Sequence, residues 1–162
     1  MQDVGDTMLE IESGSVYFGD KTVRNIAEFL PRDTKSTDSQ PARPRILIVD
    51  DERLIADTCA EILEGAGFDT RTAYNGWSGL DAMAKFKPDY LLTDVLMPDM
   101  NGVELAISVK KMFPATRIVL FSGQAGILEI LHSGRERGYE FELLAKPIHP
   151  SKLIEALKTQ PD

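Results

Sequence analysis

A chain of 162 residues with 26 Asp and Glu against 18 Lys and Arg carries a formal net charge of -8. The length suits one domain with a full core, and the acidic balance argues against direct nucleic-acid binding, which calls for a basic surface. No apolar run approaches a membrane span, the start lacks the basic and apolar segments of a secretory leader, and two histidines with one cysteine, Cys59, give no zinc spacing.

A cytoplasmic, reducing setting is therefore expected, with Cys59 a small buried residue. Residues 1–44 differ from the remainder. The run from Leu9 to Phe18 reads as a short hairpin with Ser13-Gly14 at its turn. Beyond Asp20, the residues Val23, Ile26, Ala27 and Leu30 recur at helical spacing and predict a short helix. From Pro31 to Pro44 the chain is rich in Pro, Ser, Thr and Asp and reads as a linker. We expect a flexible N-terminal extension, favoured over a docking segment, followed by one domain over residues 45–162.

From Arg45 the pattern becomes a regular alternation of strand and helix. Ile46-Leu47-Ile48-Val49 is continuously apolar and β-branched, as a strand covered on both faces should be, and it stops at Asp50-Asp51-Glu52. A helix follows to about Gly65, with Leu54, Ile55, Thr58, Ile62 and Leu63 on one side. Residues 69–74 form a polar strand suited to a sheet edge. Asn75-Gly76 then leads into a helix from about Trp77 to Lys85, ended before Pro88. Tyr90-Leu91-Leu92-Thr93 is a buried strand ending at Asp94, and Pro98 with Asn101-Gly102 turns the chain into a helix from Val103 to Phe113. Arg117 to Phe121 is a further buried strand ending at Ser122-Gly123, with a helix over roughly residues 126–133 and a charged irregular stretch from His132 to Gly138. Phe141 to Leu144 is the last strand, ending at Lys146-Pro147, and Pro150 opens a final helix to about Thr159. Five strands each followed by a helix predict an α/β fold: a doubly wound, five-stranded parallel sheet with strand order 2-1-3-4-5.

In that order the first and third strands are neighbours, so Asp50, Asp51 and Asp94 meet at one end of the sheet. Carboxylates about 5 Å apart repel by roughly 3 kcal/mol per pair at an effective dielectric near 20, a large share of a domain's net stability of about 5–15 kcal/mol. Either raised pKa values or a cation must compensate, and an oxygen-only donor set favours Mg²⁺. Ser122 and Lys146 end the fourth and fifth strands and border the same crevice. A metal, an ammonium, a hydroxyl and an exposed carboxylate suit a phosphoryl group, with the carboxylate attacking phosphorus.

The motifs Ile48-Val49-Asp50-Asp51-Glu52, Asp94-Val95-Leu96-Met97-Pro98-Asp99-Met100-Asn101-Gly102, Ser122-Gly123 and Lys146-Pro147, in order at four strand ends, resemble the receiver domain of two-component response regulators. The resemblance covers residues 45–158. It implies that Asp94 is the phosphoacceptor, taking its phosphoryl group from a phosphohistidine of a sensor histidine kinase or histidine phosphotransfer protein. It also implies that Asp50 and Asp51 hold Mg²⁺ with Asp94 and the backbone carbonyl of Leu96. Lys146 and Ser122 would bind the attached phosphoryl group, and the Lys146-Pro147 bond is expected to be cis. Family members signal through the face formed by the fourth helix, fifth strand and fifth helix. The family often carries an aromatic switch residue three positions before the lysine. Here that position is Leu143, with Phe141 or Tyr139 as possible substitutes.

The sequence ends at Asp162, just beyond the last predicted helix, so we expect a stand-alone response regulator with no direct nucleic-acid or membrane contact. Its output would pass through a downstream protein partner or an onward phosphoryl relay, with a phosphorylation-dependent dimer as one form. It would catalyse only its own phosphotransfer and dephosphorylation. Two rivals stand beside this: a binding module whose output ignores phosphorylation, and a Mg²⁺-dependent phosphatase, against which Leu96 speaks because such enzymes carry an acid or base two residues after the nucleophile. His149 is expected to cap or flank the last helix, His132 to lie on the surface, Trp77 and Met83 to pack or cover the second helix, and Asp99 to be a turn residue.

Overall fold

The computed structural model describes residues 11–12, 15–18, 21–23, 42–123 and 126–159, and the chain divides into two units, Met1–Ala42 and Arg43–Asp162. In the first, Ile11–Glu12 pairs antiparallel with Ser15–Phe18, with Glu12 opposite Ser15, so the predicted Ser13-Gly14 connection spans two residues. The helix expected after Asp20 is corrected at its start: Lys21–Val23 is a strand antiparallel to Ser15–Phe18. The cue was in the sequence, since Gly19-Asp20 between runs containing Val16, Thr22 and Val23 is a hairpin signal as readily as a helix start. The rest of that predicted helix and most of the predicted linker lie outside the described residues.

In the second unit the elements run β1 (Arg45–Val49), α1 (Arg53–Gly65), β2 (Asp69–Ala73), α2 (Gly76–Phe86), β3 (Tyr90–Thr93), α3 (Gly102–Met112), β4 (Arg117–Ser122), α4 (Leu128–Glu136), β5 (Glu142–Ala145) and α5 (Pro150–Lys158). The sheet order is β2-β1-β3-β4-β5, and every pair is parallel. Because side chains alternate across a strand, each central strand feeds two cores. Leu47, Val49, Leu91, Ile118 and Leu120 face the layer that includes Met83, Val103, Leu105 and Val109. Ile46, Ile48, Leu92, Val119 and Phe121 face the layer built by α1 and α5, with Cys59, Leu63, Leu153 and Leu157. This two-sided burial is what a continuously apolar strand requires, and the polar β2 takes an edge as expected.

Three details differ from expectation. The buried stripe of α1 is Ala56, Cys59 and Leu63, whereas Leu54 is 80% exposed. The stripe joins two small side chains to the large Leu63, and Ile55 and Ile62 of the predicted face are partly buried against the same core. Of the two residues expected to pack or cover α2, Trp77 is 65% exposed and Met83 fully buried. Finally, α4 begins later and runs further than residues 126–133, with His132 to Glu136 helical and His132 Nε2 3.2 Å from Glu136 Oε1. Gly126 and Gly138 have φ of +92° and +88° and set its limits.

Glycine also docks α3 against the strand end that matters most. A Cβ on Gly102 would overlap the carbonyl oxygen of Asp94 and lie 2.8 Å from that carbonyl carbon, while the Gly102 N–H donates to Val95 O at 2.8 Å. Gly102→Ala is therefore expected to lose about 3 kcal/mol in urea unfolding through overpacking. Gly65→Ala, with nothing within 4 Å of the added carbon, should be neutral or stabilising by up to about 1 kcal/mol. Equal midpoints for Gly102→Ala and the parent chain would show that the close approach is not real.

Candidate functional site

The parallel ladder runs one residue past each strand and pins the residues that matter. The Asp50 N–H donates to Ala73 O at 3.1 Å, the Asp94 N–H to Val49 O at 2.9 Å, and the Lys146 N–H to Ser122 O at 3.1 Å. Four strands thus hand Asp50, Asp94, Ser122 and Lys146 to the same end of the sheet, the location at which open α/β sheets place their crevice. The Lys146-Pro147 bond is cis. Gly123 makes the approach of the β4 and β5 ends possible, since a Cβ there would sit 2.8 Å from Lys146 Cβ.

Asp50, Asp51 and Asp94 each offer an oxygen within 4.8 Å of the others. Asp50 and Asp94 are buried and Asp51 is exposed. Both Asp50 oxygens are engaged: Oδ1 accepts from the Glu52 N–H at 2.9 Å and Oδ2 from Lys146 Nζ at 2.7 Å. Asp94 Oδ1 accepts from the Val95 N–H at 2.8 Å and lies 3.6 Å from Lys146 Nζ. Burial pushes the Asp94 carboxyl up to about 6, with the Lys146 charge opposing and the Asp50 charge adding to the rise. A donor set of carboxylates, one of them exposed and one under-compensated, fits a hard divalent cation that keeps part of its water shell.

Ser122 Oγ is a buried hydroxyl with no hydrogen-bond partner among the described residues. Beside these groups runs a groove of about 630 Å³ lined by Leu54, Ile55, Ile62, Phe121, Pro147 and Ile148, with Asp94 and Lys146 at its polar end. The larger apolar residues predicted for the core side of α1 line this groove. Cys59 also borders it, and burial pushes its thiol up.

The structure brings Asp50, Asp51 and Asp94 together, with Lys146 against Asp50. Leu96 is half-buried two residues beyond Asp94, and Leu143 sits on the outer strand β5 with 44% of its surface exposed. Tyr139 and Phe141 stack on each other with centroids 6.2 Å apart. Asp99 has φ +68° in the turn before α3. His149 is the N-cap of α5, its Nδ1 accepting from the Ser151 N–H at 3.2 Å. Sequence reading missed Phe121, whose ring centroid is 5.0 Å from Lys146 Nζ, and the spacing roles of Gly102 and Gly123. The glycines follow Asp94 and Ser122 closely in the sequence, and that position was the available signal.

The raised Asp94 value has a sign. An aspartate at 3.8 in the unfolded chain and about 6 in the folded one binds a proton on folding between those pH values. Stability contributed this way is full below pH 4 and is lost as pH rises through 6. In EDTA, Asp94→Asn should therefore be more stable than the parent above pH 6, by up to about 3 kcal/mol, the two-unit difference at 1.36 kcal/mol per unit. The gap should close towards pH 4. Denaturant midpoints between pH 4 and 8 test this, and a gap that widens on acidification would contradict it.

Residues 46–158 match the family model described as the response regulator receiver domain. The chemotaxis protein CheY of Thermotoga maritima is 31% identical over 117 residues, covering 70% of this chain and 93% of that protein. The DNA-binding response regulator MtrA of Mycobacterium tuberculosis is 30% identical over 118 residues, and this chain spans half of its length. Among solved structures, the receiver domain of NtrX from Brucella abortus superposes with a TM-score of 0.61 at 33% identity, covering 70% of this chain and 94% of that one. Chemotaxis protein CheY4 of Vibrio cholerae does so with 0.64 at 26%, covering 72% and 98%. Among the described residues no helix is long and apolar enough to cross a membrane. With the family model matching residues 46–158 and a relative 31% identical over 93% of its own length, this chain belongs to the response regulator receiver domain family.

Proposed function

We propose that Asp94 accepts a phosphoryl group from a phosphohistidine on a sensor histidine kinase or histidine phosphotransfer protein, and that the modified domain signals to a protein partner through a conformational switch. An Asp94 carboxylate oxygen bonds to phosphorus as the phosphorus–nitrogen bond breaks, and the freed imidazole nitrogen keeps that electron pair and later takes a proton from solvent. Asp50 and Asp51, with Asp94 and the Leu96 carbonyl, would hold Mg²⁺, whose charge offsets that of the phosphoryl oxygens. Lys146 supplies the cation on the other side, and Ser122 donates to the attached group. The domain turns over its own phosphoryl group and is not a steady-state enzyme.

The observation that carries this reading is the Ser122 hydroxyl, buried and without a partner among the described residues. Leaving such a group unsatisfied costs about 1–3 kcal/mol, and a phosphoryl oxygen on the neighbouring strand end would satisfy it. Switching follows as a population shift: a phosphoryl group that Ser122 and Lys146 bind in one arrangement of the β4–α4 segment favours that arrangement.

A second reading, a binding module indifferent to phosphorylation, is supported by Leu143, which is an exposed aliphatic side chain where the family often has a ring. Incubation with acetyl phosphate and Mg²⁺ should add one phosphoryl group by mass spectrometry, and none to Asp94→Ala. Ser122→Ala should still be labelled but respond more weakly in partner binding. Partner affinity that is identical with and without phosphodonor would favour the second reading. Steady phosphate release from a phosphate ester would instead mark a phosphatase.

A further inference from the structure

Thr93, the last residue of β3, lies between Val49 of β1 and Leu120 of β4 in the sheet register. It is fully buried, and strand alternation puts it on the face that carries Leu47, Leu91 and Ile118 into the core. A hydroxyl among such neighbours is costly unless it is bonded, and valine would fill the same strand position without one. The Thr93 hydroxyl donates to the carbonyl oxygen of Asp94 at 3.0 Å. We infer that Thr93 is a positioning residue for phosphoryl transfer, holding the Asp94–Val95 peptide so that this peptide aims the Asp94 carboxylate. The inference rests on reading Asp94 as the phosphoacceptor.

The Asp94 carbonyl and the Val95 N–H belong to one planar peptide group. At one end the carbonyl accepts from Thr93 Oγ1, and at the other the N–H donates to Asp94 Oδ1 at 2.8 Å. Turning that plane moves both ends together, so a hydroxyl on the core side of the strand fixes the donor that orients the carboxylate. A hydrogen bond to the carbonyl also polarises the group and strengthens the bond its N–H makes. With Oδ1 held in this way, Oδ2 is the oxygen turned to meet phosphorus.

The peptides on either side are held by other bonds. The Asp94 N–H donates to Val49 O at 2.9 Å, and Val95 O accepts from the Gly102 N–H at 2.8 Å. Gly102 therefore spends its donor on Val95, although it lies so near Asp94 that a Cβ there would overlap the Asp94 carbonyl oxygen. Among the described residues, the peptide between these two fixed ones depends on Thr93 for its carbonyl partner. Removing the hydroxyl leaves that carbonyl buried and unpaired, and the plane is free to turn away from the carboxylate.

The test compares Thr93→Val with the parent in the full chain. At fixed acetyl phosphate and saturating Mg²⁺, labelling of Asp94 should slow about tenfold or more, the cost of a misaimed reacting group. In NMR without phosphodonor, the Val95 amide proton should move upfield, and its through-hydrogen-bond coupling to the Asp94 carboxyl carbon should be lost. Thr93→Ser, which keeps the hydroxyl, should restore both the rate and the Val95 signal. Thr116→Val removes a second buried hydroxyl, bonded to Pro88 O at 3.2 Å at the remote end of the sheet, and should change neither. A parental labelling rate in folded Thr93→Val, a slowed rate with the Val95 signal unmoved, or a Thr93→Ser as slow as Thr93→Val would overturn the inference. If Thr93→Val does not fold, Thr93→Cys, whose thiol is a weak donor, takes its place with the same expectations. Should Asp94 of the parent take no phosphoryl group, the phosphoacceptor reading falls, while the Val95 signal still decides whether Thr93 holds the peptide.

Discussion

Three carboxylates that cannot retreat from one another are the constraint on which this structure turns. Asp50 and Asp94 are fixed at their own N–H groups by carbonyls of adjacent strands, and Asp51 follows Asp50 directly. A parallel sheet puts the ends of its strands side by side, so the acids are crowded by main-chain geometry. Repulsion that the backbone cannot relax is met through a proton, an ammonium or a metal ion. The protein sets the Lys146 ammonium against Asp50, while burial first and the Asp50 charge after it raise the Asp94 carboxyl. The arrangement is costly to stability and is built into the centre of the sheet, which is where a functional site shows itself.

The supporting features follow from that crowding. Gly102 lets α3 start against the Asp94 carbonyl, and Gly123 lets β4 and β5 close on Lys146. Ala56 and Cys59 bring α1 down onto the sheet, and in doing so they leave Leu54 and Ile55 to line the groove beside the acids. The same small residues that seat the helix therefore shape the approach to Asp94.

Strand ends were legible because apolar runs stop abruptly at charged or hydroxyl residues: Val49 at Asp50, Thr93 at Asp94, Phe121 at Ser122. Alternation of strand and helix then predicted the sheet order, and the order brought the acids together. What periodicity could not supply was size. Of the helix face read from Leu54, Ile55, Thr58, Ile62 and Leu63, Leu63 is fully buried and Ile55 and Ile62 partly so, while Ala56 and Cys59 reach the core where Leu54 does not. Trp77 and the limits of α4 failed for related reasons: apolarity at one position does not say that a partner surface exists, and the φ of Gly126 and Gly138 is invisible without tertiary context. The choice of Lys146 between Asp50 and Asp94 was equally hidden, since a difference of less than an ångström in reach has no sequence signature.

The opposite end of the sheet limits how a change at the acids can spread. Arg117, at the start of β4, makes a bidentate pair with Glu142 of β5 and donates to the carbonyls of Ala156, Leu157 and Thr159 at the end of α5. Its bonds to Glu142 hold its guanidinium above the usual range, so it stays charged. One side chain thus fastens β4, β5 and α5 at the end remote from Asp94, while Ser122 and Lys146 hold β4 and β5 at the near end. β4 and β5 are therefore tied together at both ends, and α5 is fastened to them at the end remote from Asp94. Leu143, next to Glu142 in β5, lies beside that clamp with its side chain exposed.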